Sequence, residues 1–169
     1  MPKVVCNSSP RIHLSKAGRL HLLRDFFQEV LVPNEVLIES VENSSNSLDV
    51  KEIKSADWIY PLAIEDMNLK KALKQTLDEG EAAAIVLALE QEADLILMDD
   101  YDGRAMAREY NLRVMGTIGI LLKAKFEGRI ISLRHELDAL RQDGFWLSEE
   151  LYLKILREAN ETKITYPSK

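Results

Sequence analysis

Carboxylates gather next to short apolar runs in the middle of the chain. The apolar run at 95–98 ends directly in Asp99 and Asp100, and Glu81 lies near the start of an alanine-rich segment that favours helix. In open α/β sheets, active sites form where strands give way to helices. Carboxylates at such an edge repel one another, and a divalent cation bound by their oxygens is the usual reason to keep them close. The pattern predicts a site for a divalent metal ion.

Alternating strand and helix patterns must position these carboxylates. Turn-forming residues separate the segments, and helical spacing follows most of the apolar runs. Strands are predicted at 3–6, 30–32, 58–62, 95–98 and 112–115, and helices at 66–77, 81–92 and 117–126. Pro61 limits its strand to a sheet edge or end, whereas Pro33 suits the first turn of a helix. The alternation predicts an α/β fold with a central parallel sheet of about four or five short strands flanked by helices.

A pair of helices is predicted after residue 131. Their apolar stripes are formed by Leu133, Leu137 and Leu140 in the first helix and by Leu151, Ile155 and Leu156 in the second. We place Cys6, Trp58 and Trp146 in the core. By length the chain is one domain, which we assign to residues 1–160, followed by a disordered tail at 161–169.

Composition and charge narrow the class of protein. The 169 residues carry a net charge of −6 and one cysteine, so an internal disulfide is excluded. No apolar run approaches the roughly 20 residues of a membrane span, and the N-terminus lacks a signal-peptide pattern, so we expect a cytoplasmic protein without membrane contact. Residues 1–24 carry five basic residues and no acidic residue. Residues 35–100 carry sixteen acidic and five basic residues, whereas residues 101–134 carry seven basic and three acidic residues. An acidic pocket with a basic rim fits this segregation, and so does ordinary solvation of helix faces.

Five short motifs in a fixed order carry a resemblance to a known family. They are VVCNSSP at 4–10, VPNEVLIE at 32–39, GEAAAI at 80–85, LMDD at 97–100 and GTIGIL at 116–121. In these motifs the chain resembles the PIN-domain superfamily, in particular its short prokaryotic members described as nucleic-acid-binding. The resemblance implies a three-layer sandwich around a parallel sheet, and a Mg²⁺- or Mn²⁺-dependent ribonuclease. Many members are toxins of toxin–antitoxin pairs, and homodimers are common among them.

The resemblance also implies a site of three or four acids at the carboxyl edge of the sheet. Its positions fall on Asn7, Glu39, Glu81 and Asp99, and Asp100 is the alternative to Asp99. The candidate metal ligands are Glu81, Asp99 and Asp100. Asn7 departs from the pattern, because the superfamily usually has aspartate there. An asparagine offers a carbonyl oxygen to a hard cation but brings no negative charge and cannot act as a base.

Further candidates line the pocket or contact RNA, and each has a structural alternative. Ser9 and Thr117 could face the pocket through their hydroxyls or cap helices. Arg11, Arg104 and Arg108 are candidates for contacts with the phosphate backbone. Turn and cap roles would also explain Asp99 and Asp100, and the helix macrodipole alone would favour an acid at Glu81.

Three functional hypotheses follow from these residues. The first is a metal-dependent endoribonuclease with RNA as substrate and, as one form of it, a toxin whose partner is an antitoxin protein. The second is a PIN-like module whose degenerate site binds nucleic acid or protein without cutting, and Asn7 favours it. The third, a phosphotransfer protein, is suggested by the sequence Asp100-Tyr101-Asp102 after an apolar strand, but that pattern belongs on a first strand with a long chain after it.

Overall fold

Five short parallel strands form one sheet in the computed structural model, which describes residues 2–36 and 55–161. The chain divides into two compact units, residues 1–117, here called the sheet unit, and residues 118–169, the helical unit. The strands are β1 (Val4–Cys6), β2 (Val30–Pro33), β3 (Ile59–Leu62), β4 (Leu95–Leu97) and β5 (Val114–Met115). All neighbouring pairs are parallel, in the order β3-β2-β1-β4-β5. The predicted α/β fold with a helix-flanked parallel sheet is confirmed.

Eight helices complete the described parts of the chain. They are α1 (Ser8–Lys16), α2 (His21–Phe27), α3 (Met67–Leu73), α4 (Glu79–Glu90), α5 (Tyr101–Glu109), α6 (Thr117–Phe126), α7 (Leu133–Gln142) and α8 (Glu149–Glu158), and residues 34–36 are also helical. Gly18 lies between α1 and α2, and its φ of +70° is one that glycine adopts without strain.

The strand order reverses between β1 and β4, and this point decides where a ligand can bind. The chain adds β2 and β3 on one side of β1, then crosses back to add β4 and β5 on the other side. Parallel crossovers are right-handed, so the connecting helices on the two sides of this reversal cover opposite faces of the sheet. A crevice therefore opens outside the carboxyl ends of β1 and β4, where open α/β sheets bind their ligands.

Helix α4 is the central element of the sheet-unit core. It packs against β1, β2 and β4, and residues 80–88 are all buried. The helix begins at Glu79, two residues earlier than predicted, because Asp78 caps it. Asp78 Oδ1 accepts from the Glu81 N–H at 2.8 Å, and the Glu81 carboxylate accepts from the Asp78 N–H at 3.1 Å. This reciprocal capping box satisfies two backbone donors that the helix itself cannot use.

The two strand prolines behave differently from each other. Pro61 lies in β3 at the sheet edge, as predicted, where its missing N–H costs no ladder hydrogen bond on the open side. Pro33 was predicted to start a helix, but it is the last residue of β2 and pairs in register with Leu62. The prediction was one residue early, because helical backbone starts at residue 34.

The helical unit contains two serine caps and corrects two core assignments. Ser132 and Ser148 accept from backbone N–H groups at the starts of α7 and α8. Trp146 is 82% exposed, so the prediction that it lies in the core was wrong. The predicted stripe of α8 was one residue out at its start, since Tyr152 is buried with Ile155 and Leu156 whereas Leu151 is 43% exposed. Among the described residues, no helix has the length and apolar character to cross a membrane.

A glutamate at the end of the described chain holds the start of α7. Glu161 accepts from the backbone N–H groups of Leu133 at 2.6 Å and Arg134 at 3.0 Å, and pairs with Lys125 at 3.1 Å. Burial raises the pKa of the Glu161 carboxyl, but these hydrogen bonds and Lys125 outweigh it and leave the pKa below its usual value. Residues 162–169 of the predicted tail lie outside the described residues.

We predict that Glu161→Gln lowers the free energy of unfolding by about 1–2 kcal/mol at pH 7, because a charged acceptor for two helix N-terminal donors is lost. Glu158→Gln, which changes an exposed glutamate on α8, should have little effect. A depressed pKa stabilises the fold above the pKa of the unfolded state, and this contribution is lost as pH falls through the folded-state pKa. In urea unfolding, the deficit of Glu161→Gln should therefore begin to shrink below about pH 4 and should vanish once the pH lies below the lowered folded-state pKa. A Glu161→Gln deficit that is constant from pH 7 to pH 3 would contradict the assignment.

Candidate functional site

Asn7 lies at the carboxyl end of β1, and its amide oxygen has no hydrogen-bond partner among the residues that the structure describes. Its backbone N–H donates to Leu97 O of β4 at 2.9 Å, which fixes it beside the crevice. Asn7 occupies the N-cap position of α1, yet its side chain makes no capping hydrogen bond. The residue is 4% exposed, and Oδ1 is buried and unpartnered within the described structure. A buried acceptor in this state is costly, and such groups in native proteins commonly point to an ion or water.

Asp99 follows β4 on the other side of the crevice and is held by Thr117. Its Oδ1 accepts from the Thr117 N–H at 2.6 Å, and its Oδ2 accepts from the Thr117 hydroxyl at 2.7 Å. Thr117 is fully buried and is the first residue of α6. The hydroxyl predicted as a helix cap therefore donates to Asp99. Each carboxylate oxygen has two lone pairs, so both oxygens can still accept one more ligand.

Gly116 and Arg104 complete the surroundings of Asp99. A Cβ on Gly116 would lie 2.7 Å from Asp99 Oδ1 and 2.8 Å from Arg104 Nη1, so only glycine allows these two side chains to pack this closely against the backbone. Arg104 Nη1 donates to Met98 O at 2.9 Å. Burial lowers the pKa of Arg104, the nearby Arg108 lowers it further, and Asp99 opposes the shift. A guanidinium thus stands next to the carboxylate at the crevice, where it could contact a phosphate oxygen.

Asp100 has a structural role at the start of α5. Its Oδ1 accepts from the N–H groups of Asp102 at 2.9 Å and Gly103 at 3.3 Å, which makes it the N-cap residue. The residue is exposed, whereas Asp99 is half-buried. Helix α5 begins directly after Asp100, at Tyr101. Of the two aspartates, Asp99 is the less exposed, and it is the one that acts electrostatically on Cys6 at the end of β1.

Glu81 reaches the same sheet edge on α4. Asp94, which follows α4, donates from its backbone to Lys3 O at the amino end of β1, so the end of α4 lies at the amino edge of the sheet. The helix runs antiparallel to the strands and its start, with Glu81, lies at the carboxyl edge. Glu81 is 7% exposed, and one of its oxygens is engaged by Asp78. The D-x-x-E signature of residues 78–81 would have predicted this structural role.

The thiol of Cys6 shows how poorly hydrated the end of β1 is. Cys6 is fully buried, as predicted, and burial raises its thiol pKa to about 12, with Arg11 lowering it and Asp99 raising it. The thiol donates to Asn7 O at 3.1 Å. Charge–charge interactions in this low-dielectric region are stronger than at the surface.

Arg11 is placed in the interior rather than on the surface. It is fully buried, and its Nη2 donates to Val36 O at 3.1 Å. This burial argues against the predicted contact between Arg11 and a phosphate backbone. Arg108 is exposed and remains available, and Ser9 lies half-buried at the second position of α1 rather than at its N-cap.

A buried lysine at the carboxyl edge was missed by the sequence analysis. Lys70 of α3 is 7% exposed and pairs with Glu35 at 2.9 Å and Glu79 at 2.8 Å. These two ion pairs join α3 to the segment after β2 and to the start of α4. They lower the pKa of Glu79 and, against the effect of burial, raise that of Lys70. The sequence gave no signal that Lys70 would be the buried lysine, because Lys71 and Lys74 carry the same charge in the same segment.

The oxygen donors at this edge are of the type that binds a hard cation. Asn7 Oδ1 and the Asp99 and Glu81 carboxylates suit Mg²⁺ or Mn²⁺. Within residues 2–36 and 55–161, however, no three His, Cys, Asp or Glu side chains are grouped so as to hold a metal. Asn7 is not an acid and Glu39 lies outside the described residues, so the implied four-residue set is represented there by three members.

We predict that Thr117→Val lowers the free energy of unfolding by about 1–2 kcal/mol, because Asp99 loses a hydroxyl donor in a buried setting. Thr117→Ser keeps the hydroxyl and should retain most of the stability. Equilibrium urea unfolding of both variants measures the difference. Equal stability of the valine and serine variants would show that the hydrogen bond contributes nothing net.

One family comparison agrees with this geometry. A family model described as a PIN domain matches residues 3–161, nearly the whole chain. No curated protein matches the chain. The matched region contains every candidate residue discussed above, and it includes both the parallel sheet and the helices that follow. PIN domains have a nuclease-like fold, and they generally use divalent metal ions. The chain therefore belongs to the PIN domain family.

Proposed function

We propose that this protein is a Mg²⁺- or Mn²⁺-dependent endoribonuclease that hydrolyses phosphodiester bonds in RNA at the carboxyl ends of β1 and β4. The observation that supports it most directly is the pair formed by Asn7 and Asp99. These residues flank the reversal of strand order, and one presents a buried oxygen without a partner. Membership of the PIN domain family makes nuclease chemistry at that edge the best-supported activity.

The residues have separable roles in this proposal. Asn7, Glu81 and Asp99 would hold the metal ion, with Glu39 as the fourth position implied by the family pattern. A bound ion of this kind lowers the pKa of a water and offsets charge on the phosphate. Thr117 fixes both oxygens of Asp99, and the absence of a side chain at Gly116 lets Asp99 and Arg104 pack closely against the backbone there. Arg104 lies close enough to Asp99 to bind a phosphate oxygen at the same edge.

We predict that Asp99→Asn reduces Mn²⁺ affinity and RNA cleavage by at least about 100-fold without unfolding the protein. An asparagine can still accept from the Thr117 N–H and donate to its hydroxyl, so the local structure should persist. Glu81→Gln should behave similarly, because glutamine at this position also completes a capping box. Calorimetric Mn²⁺ titration and cleavage of an unstructured RNA measure the two effects.

Asp100→Asn and Asp102→Asn are the matched controls for that experiment. Asparagine caps helices as well as aspartate does, so Asp100→Asn removes charge while keeping the start of α5. Both controls should bind metal as the parent protein does. Loss of binding in Asp100→Asn alone would assign the ligand role to Asp100 and overturn the choice of Asp99.

A second prediction concerns the missing charge at Asn7. Asn7→Asp places a carboxylate in a buried site near Asp99, so in chelator the variant should be less stable than the parent by about 1–3 kcal/mol. Because metal binding stabilises only the folded state, Mn²⁺ should restore the loss and bind the variant more tightly. Thermal unfolding with EDTA or Mn²⁺ measures both, with the exposed Asn68→Asp as control. Unchanged stability in EDTA, or no recovery with Mn²⁺, would count against a metal site here.

A binding module without nuclease activity is the second candidate function. Asn7 favours it, since a neutral residue weakens both cation binding and general-base chemistry. RNA binding that persists in chelator and produces no new ends with Mn²⁺ would support this alternative over the nuclease.

The toxin role is a finer form of the first proposal, based on the resemblance of the chain to toxin ribonucleases. If it holds, induced expression should arrest bacterial growth, and Asp99→Asn should relieve the arrest. Co-purification of a small partner encoded beside the gene would test for an antitoxin. The homodimer and the cytoplasmic location stay predictions.

A further inference from the structure

An aromatic side chain stands exposed beside the candidate site. Tyr101 is the first residue of α5, two residues after Asp99, and it is 84% exposed. The Asp100 side chain caps this helix start through two hydrogen bonds, so the backbone that carries the tyrosine is fixed. Folding gains little from a ring left in water, and exposed aromatic rings are the groups on which proteins stack unpaired bases.

Tyr101 shares one face of α5 with two arginines. Positions three, four and seven residues apart lie on the same side of an α-helix, which places Tyr101, Arg104 and Arg108 in a single row. We call this row the α5 stripe. The acids of the helix, Asp102 and Glu109, are seven residues apart and lie together on a different side. The two basic side chains of α5 therefore lie in the α5 stripe, and its two acids lie outside it.

The two arginines of the stripe are close enough to repel each other. Arg104 is half-buried and Arg108 exposed, and the charge of Arg108 adds to the effect of burial in lowering the pKa of Arg104. Like charges four residues apart destabilise a helix slightly. A bound phosphate between them would remove this repulsion, because each guanidinium presents a fork of donors that matches phosphate geometry.

We propose that the α5 stripe is the path of single-stranded RNA away from the cleavage site, with one base stacked on Tyr101 and the following phosphates bound by Arg104 and Arg108. The proposal rests on the proposed ribonuclease function and specifies how its substrate is held. It commits to unpaired RNA, since a base in a duplex has no free face to place on the tyrosine. Sequence preference is not expected, because every base offers a stacking face.

Binding measurements on single-residue variants test the path without any need for cleavage. The probe is a fluorescent, unstructured RNA of about 12 nucleotides, titrated in EDTA and followed by anisotropy. Tyr101→Ala should weaken binding at least fivefold, from the loss of one stacked base, while Tyr101→Phe keeps the ring and should bind like the parent. Trp146→Ala, which removes another exposed aromatic ring, is the control and should have no effect.

A second probe separates stacking from phosphate contact. An abasic ribose-phosphate oligomer of the same length keeps the charge but has no bases. Tyr101→Ala should bind this oligomer as the parent does, whereas Arg108→Ala should weaken binding of both probes and reduce the salt dependence by about one phosphate. Arg113→Ala, an exposed arginine just before β5 at the opposite edge of the sheet, is the matched control.

The outcomes distinguish this proposal from the function on which it rests. RNA bound equally by the parent and Tyr101→Ala, with cleavage lost in Asp99→Asn, would overturn the stacking path and leave the nuclease intact. If Tyr101→Ala weakened the binding of the RNA and of the abasic oligomer equally, the stacking path would also be overturned, because the tyrosine would then contact the RNA backbone rather than a base. An absence of RNA binding by the parent would overturn the path and the RNA substrate together, with the Mn²⁺ titration still deciding the metal site.

Discussion

The hydrogen-bonded register between β1 and β4, in which Val5 pairs with Ile96 and Cys6 with Leu97, sets which side chains can meet at the carboxyl edge. Asn7 follows Cys6 directly and Asp99 follows Leu97 by two residues, at the point where the strand order reverses, so both residues flank the same crevice. A shift of one residue in either strand would turn alternate side chains to the other face and separate this pair. The strands have only three residues each, so the flanking helices must hold the register.

Helix α4 is the element best placed to hold it. Its buried run of residues 80–88 is rich in alanine, and small side chains let the helix approach β1, β2 and β4 closely. The same helix carries Glu81 at its start, so the core that fixes the sheet also fixes a candidate ligand. The Asp78–Glu81 capping box and the Lys70–Glu79 ion pair both act at this end. Stability and site geometry are therefore coupled at the start of α4, so a substitution there is expected to change both the free energy of unfolding and the position of Glu81.

The sequence was informative where the pattern was local and repeated, and weaker where long-range packing decided the outcome. Strand order could not be derived from periodicity, but the parallel sheet followed from the alternation of strands and helices. Arg11 and Arg108 look equivalent in sequence, yet one is fully buried against Val36 and the other is exposed, because α1 packs its arginine inward. Trp146 was placed in the core because its side chain is large and apolar, but tertiary packing leaves it exposed, and the sequence carries no signal for that packing. For Asp99 the sequence predicted the place but not the partner, since Thr117 is distant in the chain.

The amide at position 7 is consistent with a compromise between stability and cation binding. The raised pKa of the neighbouring Cys6 thiol indicates that the end of β1 disfavours negative charge, and Asp99 already lies within electrostatic reach of that thiol. A second carboxylate there would repel the first whenever no cation is bound, at the cost typical of an uncompensated buried charge. Asparagine avoids that repulsion and keeps one oxygen directed into the protein, but the unpartnered Oδ1 shows that it does not satisfy the site by itself. A fold that tolerates this unpaired acceptor gains stability without metal, and it gives up part of the electrostatic attraction that would hold the metal in place.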